Sequence, residues 1–289
     1  MRDAFAENMS KEVVILTRDS LRHSYIRKSI ALSDGINVLK TYCETSGSDL
    51  LEEARENDEK SRVEHLERRA RAECDHFGHF VNITPDYSNP VDIPGGGIND
   101  NQYYEEIINL DPDLLVAYGC SIVEDPLLSE YEGRFLNCHL GLSPYYRGTG
   151  TNFWPLVNEE PEYVGATFMH LSKKVDAGEI IHQLRARVYP NDGPHDIGNR
   201  LISDVGQVYP ELICSFDNLN AVEQLPEPDN GHYYISDDYT PEATKRLYNN
   251  FNNRMVEEYL NNQKDRVSKV PIVKHPAIAE EELLIEPEV

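Results

Sequence analysis

Three short stretches hold the residue types from which chemistry can be built: Asn137-Cys138-His139, Pro144-Tyr145-Tyr146-Arg147-Gly148 and Val175-Asp176-Ala177-Gly178. The run Arg134 to His139 (RFLNCH) reads as a strand. On a strand, Asn137 and His139 stand two apart and share one face. In a parallel sheet, ligands bind beyond the carboxyl ends of the strands, where an amide, an imidazole and a carboxylate from a neighbouring loop can converge. A donor amide and an imidazole or imidazolium can stabilise an oxygen on which negative charge develops. The carboxylate can orient the imidazole, favour its charged form and relay a proton.

Such residues need a rigid frame, and the chain supplies one. Glu12 to Thr17 (EVVILT) is a short β-branched run of the kind buried on both faces. Ser20 then opens a helix to about Leu32, and Ile36 to Tyr42 is a second strand. This β-α-β start predicts an α/β fold with a mostly parallel sheet flanked by helices. Asp49 to Glu73, dense in alternating charge, predicts one long solvated helix. Pro85 to Asp100 reads as a turn-rich loop. Its Gly95-Gly96-Gly97 lacks a following Lys-Ser/Thr and the G-x-G-x-x-G spacing, so it is a weak phosphate signal. Tyr103 to Leu110 is a helix, Asp113 to Tyr118 a core strand and Thr151 to Asn158 helical. Val164 to Leu171 and Glu179 to Val188 are extended, and Ile197 to Phe216 is a helix. Beyond Asp217 the composition shifts toward Asn, Tyr and charge, with a short strand at His232 to Ile235 and a helix at Pro241 to Leu260. These boundaries predict a catalytic domain over 1–216, a small α+β extension over 217–275 and a disordered acidic tail over 276–289.

The chain of 289 residues, 39% hydrophobic and 27% charged, is neither collagenous nor disordered. No apolar run approaches a membrane span and the first ten residues carry no apolar signal core, so the expected compartment is the cytoplasm. The net charge of −24 argues against nucleic acid and anionic membranes as partners. It fits either a salt-adapted host or an ordinary soluble acidic surface. Cys43, Cys74, Cys120, Cys138 and Cys214 form no C-x-x-C pair, and most of them read as small core hydrophobes. His23, His65, His76 and His79 lack ligand spacing, so no metal is expected. Trp154, His170, His182 and His195 read as packing or surface residues, and the tyrosines of the C-terminal segment leave a homodimer contact open.

Taken in order, NCH, SPYYRG and DAG resemble the motifs of the folate-dependent formyltransferases, which include glycinamide ribonucleotide, methionyl-tRNA and amino-sugar formyltransferases. The resemblance spans about Glu12 to Phe216, and DPDLLVAYG and GATFMH resemble the family's core strands. It implies a Rossmann-like formyltransferase fold and Asn137, His139 and Asp176 as the catalytic triad. It also implies 10-formyltetrahydrofolate as co-substrate, without metal. The folate would meet backbone around Gly119, Ser121, Ile122, Val123, Val175 and Gly178. Tyr146 and Arg147 lie in the loop beside the triad, where Arg147 could meet a phosphate or carboxylate of the substrate. Two departures narrow the acceptor. Leu140-Gly141 follow the histidine where many members have Pro-Ser, and Met169 stands where the glycinamide ribonucleotide branch has His. The residues after Phe216 are too few and too negative for the RNA-binding domain of the methionyl-tRNA branch. The resemblance therefore implies a primary amine on a small substrate, foremost an amino sugar or nucleotide-linked amino sugar. A formyl-folate hydrolase, a purine-pathway glycinamide ribonucleotide formyltransferase and an inactive binding module are the competing readings.

Overall fold

The computed structural model describes residues 10–45, 50–224 and 231–278. In chain order, β1 (Lys11–Arg18) leads through α1 (Leu21–Ala31) to β2 (Ile36–Glu44). Next come α2 (Leu50–Glu56), α3 (Lys60–Ile83), β3 (Pro90–Ile93), α4 (Asn101–Leu110), β4 (Leu114–Tyr118), α5 (Leu127–Glu130) and β5 (Phe135–His139). After these stand β6 (Tyr146–Gly148), α6 (Trp154–Val157), β7 (Gly165–His170), β8 (Ile180–Arg185) and α7 (Pro194–Ser215). The last elements are β9 (His232–Tyr234), α8 (Pro241–Asn252) and α9 (Met255–Ser268).

Seven strands make one sheet in the order β3-β2-β1-β4-β5-β7-β8. The first five run parallel, and β7 and β8 are antiparallel to their neighbours. The strand alternation divides the core. Val13, Ile15, Val116 and Leu136 pack with α1, α3 and α7 on one face, while Val14, Leu16, Leu115 and Phe135 pack with Ile107 of α4 on the other. This two-sided burial is why β1 reads as an unbroken apolar run. The strand order reverses between β1 and β4, and that switch point opens the crevice in which an α/β sheet takes its ligands.

Three elements differ from the sequence reading. The helix expected over Asp49 to Glu73 is two helices, α2 and α3, broken at Asp58, which adopts φ of 52°. Asp tolerates that left-handed conformation, and no Gly or Pro announces the break. Pro241 to Leu260 is likewise split, into α8 and α9, at Arg254 with φ of 67°. The loop at Pro85 to Asp100 holds the edge strand β3, which begins on a proline and is short enough to lack a period-two signature. All five cysteines are free: Cys43 and Cys138 are buried, Cys120 is half-buried, and Cys74 and Cys214 are exposed.

The residues after 216 are fastened to the sheet. β9 pairs in parallel with β6, and Val222 bridges Ile180. Gln183 N donates to Val273 O at 2.7 Å, while Val273 N donates to Gln183 Oε1 at 3.0 Å. Leu247, Met255 and Tyr259 are buried in the same core as α7. From residue 279 onward the expected acidic tail lies outside the described residues.

Candidate active site

A cavity of about 570 Å3 opens at the carboxyl ends of β1, β4 and β5. A volume of 300–1,000 Å3 accommodates a cofactor-sized ligand. Asn137, His139 and Asp176 all line it. On β5 the burial alternates: Leu136 and Cys138 are buried, whereas Asn137 and His139 turn their half-buried side chains to the opposite face.

Asp176 reaches the histidine from the loop between β7 and β8. Its Oδ1 stands 3.2 Å from His139 Nδ1, with only 11% and 9% of the two side chains exposed. Asp176 Oδ2 accepts from the backbone N–H of Gly148 at 3.1 Å. The other ring nitrogen, Nε2, faces the carbonyl oxygen of Tyr146 at 3.4 Å, a long contact. Both ring nitrogens thus face oxygen atoms of the protein. Asp176 adopts φ of 51°, tolerable for Asp at a turn. Two glycines shape the surroundings. A Cβ on Gly178 would stand 1.8 Å from His170 O, so the loop can close against β7 only as glycine. A Cβ on Gly141 would stand 2.5 Å from His139 Nε2 and 2.7 Å from Thr151 Cβ. The Leu140-Gly141 pair that departs from the family motif therefore leaves the space the imidazole occupies.

The expected folate-contacting residues Gly119, Ser121, Ile122, Val123, Val175 and Gly178 also line the cavity. Ile122 and Val175 are exposed and form apolar lips. Two of the backbone groups there are already engaged. Ser121 N donates to Glu44 Oε2 at 2.6 Å, and Ile122 O accepts from Asn99 Nδ2 at 2.9 Å. Glu44 is 2% exposed, and its second oxygen accepts from Gly96 N at 3.0 Å. Asn99 Oδ1 accepts from Glu124 N at 2.9 Å. The triple glycine is therefore part of a brace that holds the loop after β4. Cys120, beside Glu44, has its thiol pushed up to about 12 by burial and by that carboxylate, so it is no nucleophile at neutral pH.

Tyr146 and Arg147 stand apart from the expected substrate contact, since neither lines the cavity. Tyr146 is fully buried, and its hydroxyl donates to Glu160 and accepts from Asn158 Nδ2. Arg147, 6% exposed, donates through Nη2 to Gln224 Oε1 at 2.9 Å. Gln224 Nε2 in turn donates to the carbonyl oxygens of Asp176 at 2.9 Å and Gly178 at 2.8 Å. Arg147 is thereby linked through Gln224 to the loop that carries Asp176.

Sequence reasoning missed Glu44, Asn99 and Gln224. Glu44 closes the predicted second strand two residues beyond its expected end. Gln224 is 48 residues from Asp176, and no spacing rule connects them. Among the described residues no group of three or more His, Cys, Asp or Glu is placed to hold a metal, and no helix is long and apolar enough to cross a membrane.

Residues 89–213 match the family model for formyl transferases, a span that contains all three motifs and the His139–Asp176 pair. Those residues carry a formyl transferase domain, and the resemblance read from NCH, SPYYRG and DAG is borne out. Solved structures share its fold. A 4-N formyltransferase from Francisella tularensis aligns with a TM-score of 0.52 and 16% identity over 79% of this chain and 78% of that one. A sugar N-formyltransferase from Shewanella sp. aligns at 0.51 and 16% identity over 79% of this chain and 78% of its own. The phosphoribosylglycinamide formyltransferase from Coxiella burnetii aligns at 0.51 and 20% identity over 78% of this chain and 99% of its own.

Proposed function

We propose that the protein moves a formyl group from 10-formyltetrahydrofolate to the primary amine of a small acceptor, foremost an amino sugar or a nucleotide-linked amino sugar. The observation that carries this reading is the shielded His139–Asp176 pair, 3.2 Å apart, on the wall of the cavity that Asn137 also lines.

In this reading Asn137 and His139 donate to the formyl oxygen as the acceptor nitrogen adds to its carbon. Asp176 holds the imidazole through Nδ1 and faces the positive charge it gains in the transition state, while Gly148 N–H fixes the carboxylate. The new C–N bond forms, the bond from the formyl carbon to the folate nitrogen breaks with its electron pair on that nitrogen, and the acceptor's proton passes to it through His139 or Asp176. The folate would lie along Gly119, Val123 and Gly178, between the lips made by Ile122 and Val175. Met169, 1% exposed on the cavity wall, offers no polar partner to a second charged group at that point.

The test is incubation with 10-formyltetrahydrofolate and a panel of amino sugars and nucleotide-linked amino sugars, following tetrahydrofolate release and product mass. Release that depends on an acceptor, with a product 28 Da heavier (about the mass of CO), supports transfer. Release without any acceptor would make the protein a hydrolase. Absence of both release and folate binding would make it an inactive module.

A further inference from the structure

The backbone N–H that fixes Asp176 belongs to β6, and the partner of β6 comes from beyond the matched span. β9 runs parallel to β6 in the register Tyr146↔His232, Arg147↔Tyr233 and Gly148↔Tyr234. Successive N–H groups of a strand point to opposite sides. Thr149 N donates to Tyr234 O at 2.9 Å, so the Gly148 N–H turns the other way and meets Asp176 Oδ2 at 3.1 Å. The two strands lie closer than a side chain permits. Gly148 has φ of 87°, and a Cβ there would stand 2.1 Å from Tyr234 O.

A ribbon of two three-residue strands does not hold itself together in water. Side chains seat β9, and Tyr234 makes the closest contact. Its ring lies on that of Trp154, with centroids 4.1 Å apart and planes within 6°. Its hydroxyl accepts from Asn158 Nδ2 at 2.9 Å, and the same amide donates to Tyr146 OH at 2.9 Å. His232 adds a tilted contact with the Tyr146 ring at 4.7 Å, while Tyr233 between them is 59% exposed. Trp154 is 6% exposed and Tyr146 fully buried, so Tyr234 rests on fixed parts of the core.

We propose that Tyr234 is a positioning residue for the reaction, which seats β9 on β6 by stacking on Trp154 and so aims the Gly148 N–H at Asp176. The inference rests on the formyl-transfer reading. Tyr234 is not on the cavity wall and acts through that one N–H. With Oδ2 held by Gly148, Oδ1 faces His139 Nδ1 at 3.2 Å. With β9 loosened, β6 is free to shift, and the carboxylate loses a donor and its aim at the ring. A hydrogen bond to an ionised group is among the stronger kinds, so its loss is measurable.

The experiment compares the full-length wild type with Tyr234→Phe, Tyr234→Leu and Met255→Ala. Phenylalanine keeps the stack and gives up the contact with Asn158, whereas leucine gives up both. Met255, buried in α9 and outside the cavity wall, controls for general loosening of the C-terminal segment. Tyr234→Met is read in place of Tyr234→Leu if the leucine protein does not fold. Three quantities are measured: kcat and folate KM for acceptor-dependent tetrahydrofolate release, hydrogen exchange of the Gly148 amide by NMR, and the emission of the single tryptophan, Trp154, without ligand. Tyr234→Leu should lose about tenfold or more in kcat with folate KM within about threefold. Its Gly148 amide should exchange at least about tenfold faster, and its emission should shift to the red as water reaches the Trp154 ring. Tyr234→Phe should restore kcat, exchange and emission to near wild type. Met255→Ala should be less stable yet keep kcat and Gly148 exchange within about threefold. Wild-type kcat and Gly148 exchange in Tyr234→Leu would overturn the proposal, because the strand then seats itself without the ring. So would an equal loss of kcat in Met255→Ala, because the ring then only adds stability. If the wild type transfers no formyl group, that reading falls separately, and Gly148 exchange in Tyr234→Leu still decides whether Tyr234 sets the contact with Asp176: faster exchange keeps it and unchanged exchange removes it.

Discussion

Replacing Asp176 by Asn keeps the size of the side chain and removes its charge. Gly148 N–H, 3.1 Å from Oδ2, selects an oxygen there, so the amide turns its NH2 toward His139 Nδ1. The amide then donates where the carboxylate accepted, and the ring must present a lone pair at Nδ1. The imidazole is neutral in that arrangement, with its only proton on Nε2. At 3.2 Å and an effective dielectric constant of about 20, the lost attraction between carboxylate and imidazolium is about 5 kcal/mol. Part of that is offset because a neutral pair is cheaper to bury. A loss of about 3–4 kcal/mol in the barrier corresponds to a fall in kcat of about 10²- to 10³-fold. The assay is tetrahydrofolate release at saturating donor and acceptor, with the melting temperature as the control for folding. KM for the folate should stay within threefold, because both carboxylate oxygens face the protein. A folded D176N protein that keeps kcat within fivefold of wild type would refute the assignment of Asp176 as the catalytic partner of His139.

Gly141→Ala places a methyl carbon 2.5 Å from His139 Nε2, so the ring must swing off its carboxylate; kcat should drop at least about 100-fold with the protein still folded, and near-wild-type turnover would show that the ring has room to spare. Gln224→Ala removes the donor to the Asp176 and Gly178 carbonyls; kcat should fall about tenfold with folate KM little changed, whereas a change in KM alone would mean that Gln224 serves binding. Glu44→Gln can satisfy only one of the two backbone N–H groups now bound by the buried carboxylate, so about 2–3 kcal/mol is lost and the folate-side loop slackens; differential scanning calorimetry should show Tm lower by about 5 °C or more, and steady-state kinetics a folate KM raised several-fold. His65, His182 and His195 are pushed down by burial to about 3, 4 and 4 from the ordinary 6.5. The unfolded chain therefore takes up protons first on acidification. The stability from keeping these rings neutral is complete above pH 6.5 and is lost as the pH falls toward 4. At pH 5.5 each ring withdraws about 1.4 kcal/mol, so Tm should drop by several degrees between pH 7 and pH 5.5, and a flat profile would count against the burial of these rings.

The central sheet was legible because its strands are buried on both faces and announce themselves as β-branched runs, as β1 and β4 do. The site was legible where its chemistry is packed into short motifs: Asn137 and His139 share a strand face by simple alternation, and Asp176 sits beside a glycine that only a tight turn explains. Two kinds of feature stayed hidden. Helix breaks at Asp58 and Arg254 depend on single left-handed residues of types that also occur inside helices. Contacts such as Glu44 with Ser121 or Gln224 with Asp176 join residues 77 and 48 positions apart, and only the folded chain decides such pairs. Arg147 was misplaced for a related reason. An arginine in a loop beside a reactive histidine suggests a ligand, but the pairing of β9 with β6 encloses it and gives it Gln224 instead.

Gln224 stands eleven residues past the end of the matched formyl transferase span, yet it latches the loop on which Asp176 is carried. The C-terminal annex is thus mortised into the catalytic machinery and is not an accessory bolted beside it. A chimaera that exchanged everything beyond residue 216 for a relative's annex would remove the latch together with whatever acceptor contacts that annex provides. A hybrid would keep the Asp176 loop in place only if the incoming segment brought a side chain able to grip the same two carbonyls.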